Sequence, residues 1–560
     1  MGRWTGNWQE VVRFGDLLLA AADRDPDHEA VVFPDARLTY GELAERALAR
    51  ACSLAGLGLR PGGRMGVVMP NCIEYVELLF AASLLGAVMV PINSRFAPRE
   101  LGYVIRNGDL QLVFTSDIVV EHVDYAQRLH DALPHLRHGE PGVATRQADA
   151  PELRGVVMLG ARREPGMLDE AAFRAAAHDA TDGQILEWHR RTPIRSPALM
   201  MYTSGTTAMP KGCVLSHEAL VRTSVLAGRT RFELTREDRM WDPLPMFHMS
   251  SILPLIGVFD AGATFMSMTH FEPTAALEMI DRERTTVSFA TFPAITQALL
   301  NHPSYHPDRW RGIRLINNVA PPDTLLQMQQ QMPHSIQISA YGCTECGGVV
   351  AFNEPTDTLE QRTTTSGRPF DGIELQVRDI ETGQPCAAGE RGEIFVRGYN
   401  LFDGYYRDPA LTAAAFDAEG WFRTGDIGAL SAEGRISYLG RLKDMLKVGG
   451  ENVAAVEIES YLGTHPAVSI VAVVGVPDPK YVEVPAAFIE LRPGHELTEA
   501  QVKEFSREGL AAFKVPRHVR FITEWPMSAT KIQKYRLQEE LTRELEQARL
   551  SGPAPTASVP

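Results

Sequence analysis

The sequence predicts an α/β protein: a large N-terminal domain of layered α/β sheets, a β-rich subdomain after it, and a small α+β unit at the C-terminus. Three observations predict this. Apolar strand-like runs alternate with segments of helical spacing over the first part of the chain. From about Leu375 short β-like runs dominate, among them ELQVRDI and GEIFVRG. Residues 443–545 then repeat a helix–strand–strand–helix pattern of their own, in AAVEIESYLG, VSIVAVVGV, AAFIEL and TEAQVKEFSREGLAAF.

Taken in order, Phe14–Asp23 and Tyr40–Leu57 carry helical spacing. Met65–Met69, Ala87–Val90 and Leu112–Thr115 are apolar runs short enough for buried strands, and Ile73–Leu85 is the helix between the first two. The stretch Asp131–Arg195 is polar and interrupted by Pro, Gly and Arg. It reads as a partly irregular surface excursion with one helix-like piece, MLDEAAFRAAA. Ala198–Tyr202 reads as a buried strand, and the last ten residues, SGPAPTASVP, cannot build a core. The expected division is 1–440, 443–545, and a flexible tail over 546–560.

The 560 residues correspond to three or four folding units at about 150 residues each. With 55 Lys+Arg against 70 Asp+Glu the net charge is −15, which argues against a general nucleic-acid binder. A 44% hydrophobic content excludes disorder, collagen and a small disulfide scaffold. Six cysteines fit a reducing cytoplasm. Cys343 and Cys346 form a C-x-x-C, but no second ligand pair accompanies them, so metal or redox function is not expected. The N-terminus lacks the apolar core of a signal peptide. Leu78–Ile92 is short of the roughly 18–20 apolar residues a membrane span needs. It reads as a buried helix running into a buried strand.

The most informative segment is YTSGTTAMPKG, Tyr202–Gly212, directly after a strand. Polyphosphate binding needs backbone N–H groups, hydroxyl donors and a cation. Thr203, Ser204, Thr206 and Thr207 supply hydroxyls, Gly205 permits close approach, and Lys211 supplies charge. The Gly205-to-Lys211 spacing matches a P-loop, but Pro210 and Gly212 replace its second Gly and its Ser/Thr.

This string resembles the signature loop of the ANL superfamily of adenylate-forming enzymes (acyl-CoA synthetases, adenylation domains and luciferases). YGCTE (Tyr341–Glu345), TGD (Thr424–Asp426), GRLKDMLKVGGENVAAVEIE (Gly440–Glu459), KVP (Lys514–Pro516) and TKIQK (Thr530–Lys534) resemble further motifs of that superfamily in the same order. Upstream, LTYGEL, MPNCIEYVELLFAASLLGAVMVPIN and APRELGYVI are similar to its N-terminal half.

The resemblance implies an AMP-forming acyl-CoA synthetase using ATP, Mg2+ and coenzyme A on a medium-chain, long-chain or ring-bearing acid. It also implies that the C-terminal unit swings between two half-reactions. By the same resemblance Tyr341 stacks on adenine, Thr344 meets the α-phosphate, Glu345 holds Mg2+, and Asp426 with Arg441 takes the ribose hydroxyls. Lys531, followed by Ile532, is the adenylation lysine, with Lys534 its nearby competitor. His248 borders the acyl pocket, with Phe247, Phe292 and Ala320 in the same region. Lys443 is the hinge, and Gly449 and Gly450 let backbone approach a pantetheine channel.

Ala208, Thr530 and the Asn318–Val319 pair depart from the superfamily's glycines. The two side chains of the pair are expected to narrow or reshape the pocket. Gly347 and Gly348 after Glu345 place no large ring there, which disfavours an acetate-sized site. The alternatives are acyl loading of a carrier protein, a luciferase-like oxygenase, and a non-catalytic binding protein on the same fold. A cytoplasmic location without integral membrane association is expected, and a homodimer is compatible with the sequence.

Overall fold

A computed structural model describes residues 12–203, 209–448, 451–478, 481–528 and 531–551. Two large sheets dominate. The first has eight strands in the order Gly404–Tyr405, Lys211–Ser216, Pro197–Thr203, Val88–Pro91, Arg64–Val67, Leu112–Ser116, Gly155–Leu159 and Met167–Asp169. The last six run parallel; the first two form an antiparallel edge. The second has seven strands, Ile336–Ile338, Leu315–Asn318, Val287–Thr291, Arg239–Trp241, Thr264–Met266, Glu29–Phe33 and Ala36–Thr39. Parallel strands covered on both faces read as continuous apolar runs, as Val88–Pro91 and Gly155–Leu159 do.

Helix Ile73–Leu85 ends where the sequence places it and is buried at every residue except Glu74. Its Phe80 stacks at 4.8 Å on both Phe14 and Phe259, so three helices share one aromatic seam. Glu77, on the same helix, is 2% exposed and is neutralised by Arg50 and by Arg46 Nη1 at 3.3 Å. Helix Tyr40–Gly56 starts at a capping box in which Glu42 N–H donates to Thr39 and Thr39 N–H donates to Glu42.

The excursion expected over 131–195 is a correction. Gly155–Leu159 and Met167–Asp169 are strands that complete the eight-stranded sheet, and Val156 and Val157 have no exposed surface. The helix-like piece MLDEAAFRAAA is split: its first three residues are strand, and Asp169 then caps helix Glu170–Ala175.

The β-rich part is a four-stranded antiparallel sheet, Ile373–Arg378, Arg391–Gly398, Phe422–Leu430 and Ile436–Arg441. At the C-terminal end, strands Met445–Val448, Glu451–Ala454, Val468–Asp478, Val482–Leu491 and His518–Phe521 form a further sheet. Helices Ala455–Gly463, Glu499–Gly509 and Lys534–Ser551 accompany it. This sheet has its own apolar core around Val473, Ile489 and Ile458. Among the described residues no helix is long and apolar enough to cross a membrane.

His217 gives the fold a pH signature. It is fully buried, and the Phe14 N–H donates to its Nδ1 at 3.2 Å. Burial, helped by nearby His189, lowers its pKa from 6.5 to about 4. Between those values the unfolded chain binds a proton that the folded chain refuses. Stability therefore falls on acidification, by about 1.4 kcal/mol per pH unit from this group. His217→Asn is expected to flatten the pH dependence of the urea midpoint in that window.

Candidate active site

Adjacent strands Phe422–Leu430 and Ile436–Arg441 place Asp426 directly opposite Arg441. Arg441 Nε lies 2.8 Å from Asp426 Oδ1, and the Tyr341 hydroxyl donates to Oδ2 at 2.9 Å. The carboxylate is nearly buried while the guanidinium is partly exposed. Thr424 fixes the turn: its hydroxyl donates to the Ile394 carbonyl at 2.7 Å and accepts from Asp426 N–H at 3.0 Å. Burial would lower the Arg441 pKa, but the Asp426 carboxylate together with the nearby Tyr438, Cys343 and Tyr341 holds the cation above its ordinary range. The Tyr341 ring is buried, and Tyr438 stacks on it at 5.9 Å and 23°. Tyr438 is 41% exposed and is a residue that sequence reasoning missed; only its position three residues before Arg441 hinted at it.

A second cluster forms on the other side of Tyr341–Glu345. Glu345 lies in a short 3-10 turn, Thr344–Cys346. Its Oε1 accepts from the Tyr405 hydroxyl at 3.0 Å. Lys211 Nζ sits 5.7 Å from the centre of the Tyr405 ring. Lys211 pairs across strands with Thr203, so both ends of the Ser/Thr-rich loop are pinned to the sheet. Ser204, Gly205, Thr206, Thr207 and Ala208 lie outside the described residues. Tyr405 was also missed; it reaches Glu345 because its strand pairs with Lys211–Ser216, a long-range register no local signal reveals. Its neighbours are anchored by Asp109, which accepts from the Tyr406 hydroxyl at 2.7 Å and pairs with Arg407 at 2.9 Å.

His248 precedes helix Met249–Ala261 as its N-cap residue, and its ring lies 4.7 Å from that of Phe247. The segment leading to it is gripped by buried Asn71. The Asn71 amide donates to the Leu244 carbonyl at 2.8 Å and accepts from Met246 N–H at 2.8 Å. Gly348 has φ +95, and a Cβ there would meet the Met249 Cβ at 3.0 Å, so the chain passes close to the His248 helix.

Asn318 differs from expectation. Its side chain is fully buried and spent inside the domain, accepting from Thr296 on helix Pro293–Leu300 at 2.6 Å and donating to Gln337 on the adjacent strand at 2.9 Å. Of the pair expected to reshape the pocket, only Val319, half-buried, keeps accessible surface, and half-buried Ala320 follows it. Phe292 precedes helix Pro293–Leu300 and is half-buried.

In the C-terminal unit Lys531 lies on strand Lys531–Ile532, paired with Met527–Ser528. Its side chain is outside the described set, as are Thr530, Gly449 and Gly450. Lys534 is committed elsewhere: its Nζ is 2.6 Å from Glu459 Oε1. Lys443 sits in a 3-10 turn, Leu442–Asp444, immediately after the strand that carries Arg441; its side chain is likewise not described.

One five-residue segment, Tyr341–Glu345, therefore joins a carboxylate–guanidinium–phenol cluster to a lysine–phenol–carboxylate cluster. The first suits a diol beside a flat base; the second suits polyphosphate.

Residues 18–406 match the family described as AMP-binding enzyme, and residues 457–531 match its C-terminal domain. A Rattus norvegicus protein named medium-chain acyl-CoA ligase ACSF2, mitochondrial, is 32% identical over 95% of this chain and 88% of its own. A Mycobacterium tuberculosis protein named 3-[(3aS,4S,7aS)-7a-methyl-1,5-dioxo-octahydro-1H-inden-4-yl]propanoyl:CoA ligase is 34% identical over 92% of this chain and 96% of its own. The solved structure of the anthranilate CoA ligase AuaEII with anthranoyl-AMP aligns with TM-score 0.82 and 26% identity, over 96% of this chain and 99% of that one.

Proposed function

The chain belongs to the AMP-binding enzyme family and is an AMP-forming acyl-CoA synthetase, and on that premise we propose how its residues divide the work and which acids it takes. The reaction has two halves. A carboxylate oxygen attacks the α-phosphorus of ATP and expels pyrophosphate; the thiolate of coenzyme A then attacks the acyl carbon and releases AMP. The observation that carries the reading is the Tyr341–Glu345 bridge between the two clusters.

Asp426 and Arg441 take the ribose hydroxyls, and Tyr341 with Tyr438 walls the base. Thr203, Ser204, Gly205, Thr206, Thr207 and Lys211 hold the departing phosphates. Thr344 donates to the α-phosphate, and Lys531 offsets charge developing between it and the acyl oxygen. His248 and Ala320 border the acyl group. Lys443 is the pivot on which residues 443–545 exchange Lys531 for the Gly449–Gly450 loop beside pantetheine.

Glu345 fits a Mg2+ ligand: it is one hard carboxylate oriented by one phenol, and the described residues contain no cluster of three or more candidate ligands. Mg2+ characteristically binds one or two carboxylates plus substrate phosphates rather than an all-protein cage. When bound it supplies charge neutralisation on the phosphates.

The acid is medium-chain or ring-bearing. Two features support this: the ring-free turn at Gly347–Gly348, and relatives named for such acids. A carrier-protein acceptor is not favoured, because the relatives are named for CoA. The free thiols of all six cysteines accord with a cytoplasmic setting.

Pyrophosphate release against short, medium, aryl and polycyclic acids tests the substrate reading. Release confined to acetate-sized acids would reject it. For the pivot, Lys443→Pro is expected to slow thioester formation more than adenylation, each half-reaction being timed separately with supplied acyl-adenylate. Equal slowing of both would reject Lys443 as the pivot.

A further inference from the structure

The C-x-x-C at 343–346 has no role in the synthetase reaction described above, yet its geometry is specific. The Sγ atoms of Cys343 and Cys346 are 3.3 Å apart. The turn that holds them is closed by two backbone bonds into the Cys343 carbonyl, from Cys346 N–H at 3.1 Å and Gly348 N–H at 2.9 Å. Cys343 is half-buried, whereas Cys346 has no exposed surface. Of the other thiols, Cys52 lies against Asp182, Cys72 against Met69 and Cys386 against the Arg391 carbonyl, while fully buried Cys213 lies in the neighbourhood of Cys343. Thr344 and Glu345 are the two residues enclosed between the paired sulfurs.

We propose that Cys343 and Cys346 are an oxidisable dithiol, a modification site whose co-substrate is a peroxide and whose closure disables the adenylation site. A peroxide transfers one oxygen to the sulfur of half-buried Cys343 and leaves as water or alcohol, giving a sulfenic acid. The Cys346 sulfur, already in contact, attacks the Cys343 sulfur. The S–O bond breaks, and the hydroxyl departs as water with the Cys346 proton. Two thiols are oxidised to a disulfide and one peroxide is reduced. The new bond closes a small ring around Thr344 and Glu345 and shifts the turn from which both project. A thiol pair in contact is spared overoxidation because its resolving partner is at hand, whereas an isolated cysteine proceeds to sulfinic acid.

The link to activity rests on the Thr344 and Glu345 assignments above; formation of the disulfide does not. The test treats the full-length protein with hydrogen peroxide, alkylates remaining thiols and maps the peptides, with pyrophosphate release assayed in parallel. The expected result is a 343–346 peptide lighter by two hydrogens, activity that falls with the linked fraction, and recovery of both in dithiothreitol. Cys343→Ser and Cys346→Ala, tested separately, are each expected to lose the linked 343–346 peptide and the loss of activity that tracks it. Alkylation of both thiols after treatment, or sulfinic acid on Cys343 without linkage, would overturn the dithiol. Full activity in the linked protein would instead overturn its control of the site and would count against the Thr344–Glu345 assignment.

Discussion

Lys531→Ala lowers the rate of adenylation by about 10²–10⁴ and leaves thioester formation from supplied acyl-adenylate largely intact. The magnitude is that of removing one cation or donor aimed at charge that develops only in the transition state. The split follows from the two-pose reading, in which this lysine attends the first half-reaction only. Its neighbour supplies the control. Lys534 is tied to Glu459, whose Oε1 also accepts from Val473 N–H at 2.6 Å. That network staples helix Lys534–Ser551 to the C-terminal sheet, so Lys534→Met should weaken the unit's stability and change adenylation little. If Lys534→Met matched Lys531→Ala in rate, the assignment would pass to Lys534. Pyrophosphate release measures the first half-reaction, and acyl-CoA formed from synthetic acyl-adenylate measures the second.

The next largest effect is expected at Asp426. Asp426→Ala removes the acceptor of both the Tyr341 hydroxyl and the Arg441 guanidinium. The stranded Arg441 guanidinium is partly exposed and can be solvated, so the cost falls below the roughly 3–5 kcal/mol of a fully buried pair, yet the thermal midpoint drops along with the activity. Asp426→Asn keeps the shape and isolates the charge. It should lower kcat/KM for ATP by about 10²-fold, the order of a lost charge-assisted hydrogen-bond pair. The loss should appear chiefly in the KM for ATP, with the KM for CoA unchanged. Tyr341→Phe removes one donor to the carboxylate and should cost about 1.5–3 kcal/mol of stability, the range for a hydrogen bond to a charged group, while changing kcat/KM for ATP little because the charge remains. A Tyr341→Phe effect on kcat/KM as large as that of Asp426→Asn would mean that the carboxylate serves the fold and not the nucleotide.

The elements most legible in the sequence are those whose signal is local. Helix Ile73–Leu85 announces itself by an apolar run of helical length ending in Gly86, which adopts φ +76 at its C-cap. The motif residues Tyr341, Glu345, Asp426 and Arg441 were likewise legible, because each belongs to a short contiguous string. Strands Gly155–Leu159 and Met167–Asp169 were not. They are brief, they sit amid polar sequence, and only pairing with Leu112–Ser116 and with each other makes them strands. Tyr405 illustrates the same limit at the site: its contact with Glu345 spans 60 residues of sequence. For Asn318 residue identity was readable but side-chain direction was not. Strand alternation sent its amide to Gln337 on the adjacent strand and Thr296 on the covering helix. The C-x-x-C lacked a second ligand pair, yet its turn brings the two sulfurs into contact.

One site is expected to make an acyl-adenylate and then a CoA thioester. Incubating the enzyme with ATP, a medium-chain or ring-bearing acid and CoA, and quantifying all products by mass, tests it most directly. AMP, pyrophosphate and acyl-CoA are expected in equal amounts, with acyl-adenylate accumulating when CoA is withheld. ADP and inorganic phosphate as products, or pyrophosphate release that never yields a thioester, would contradict it.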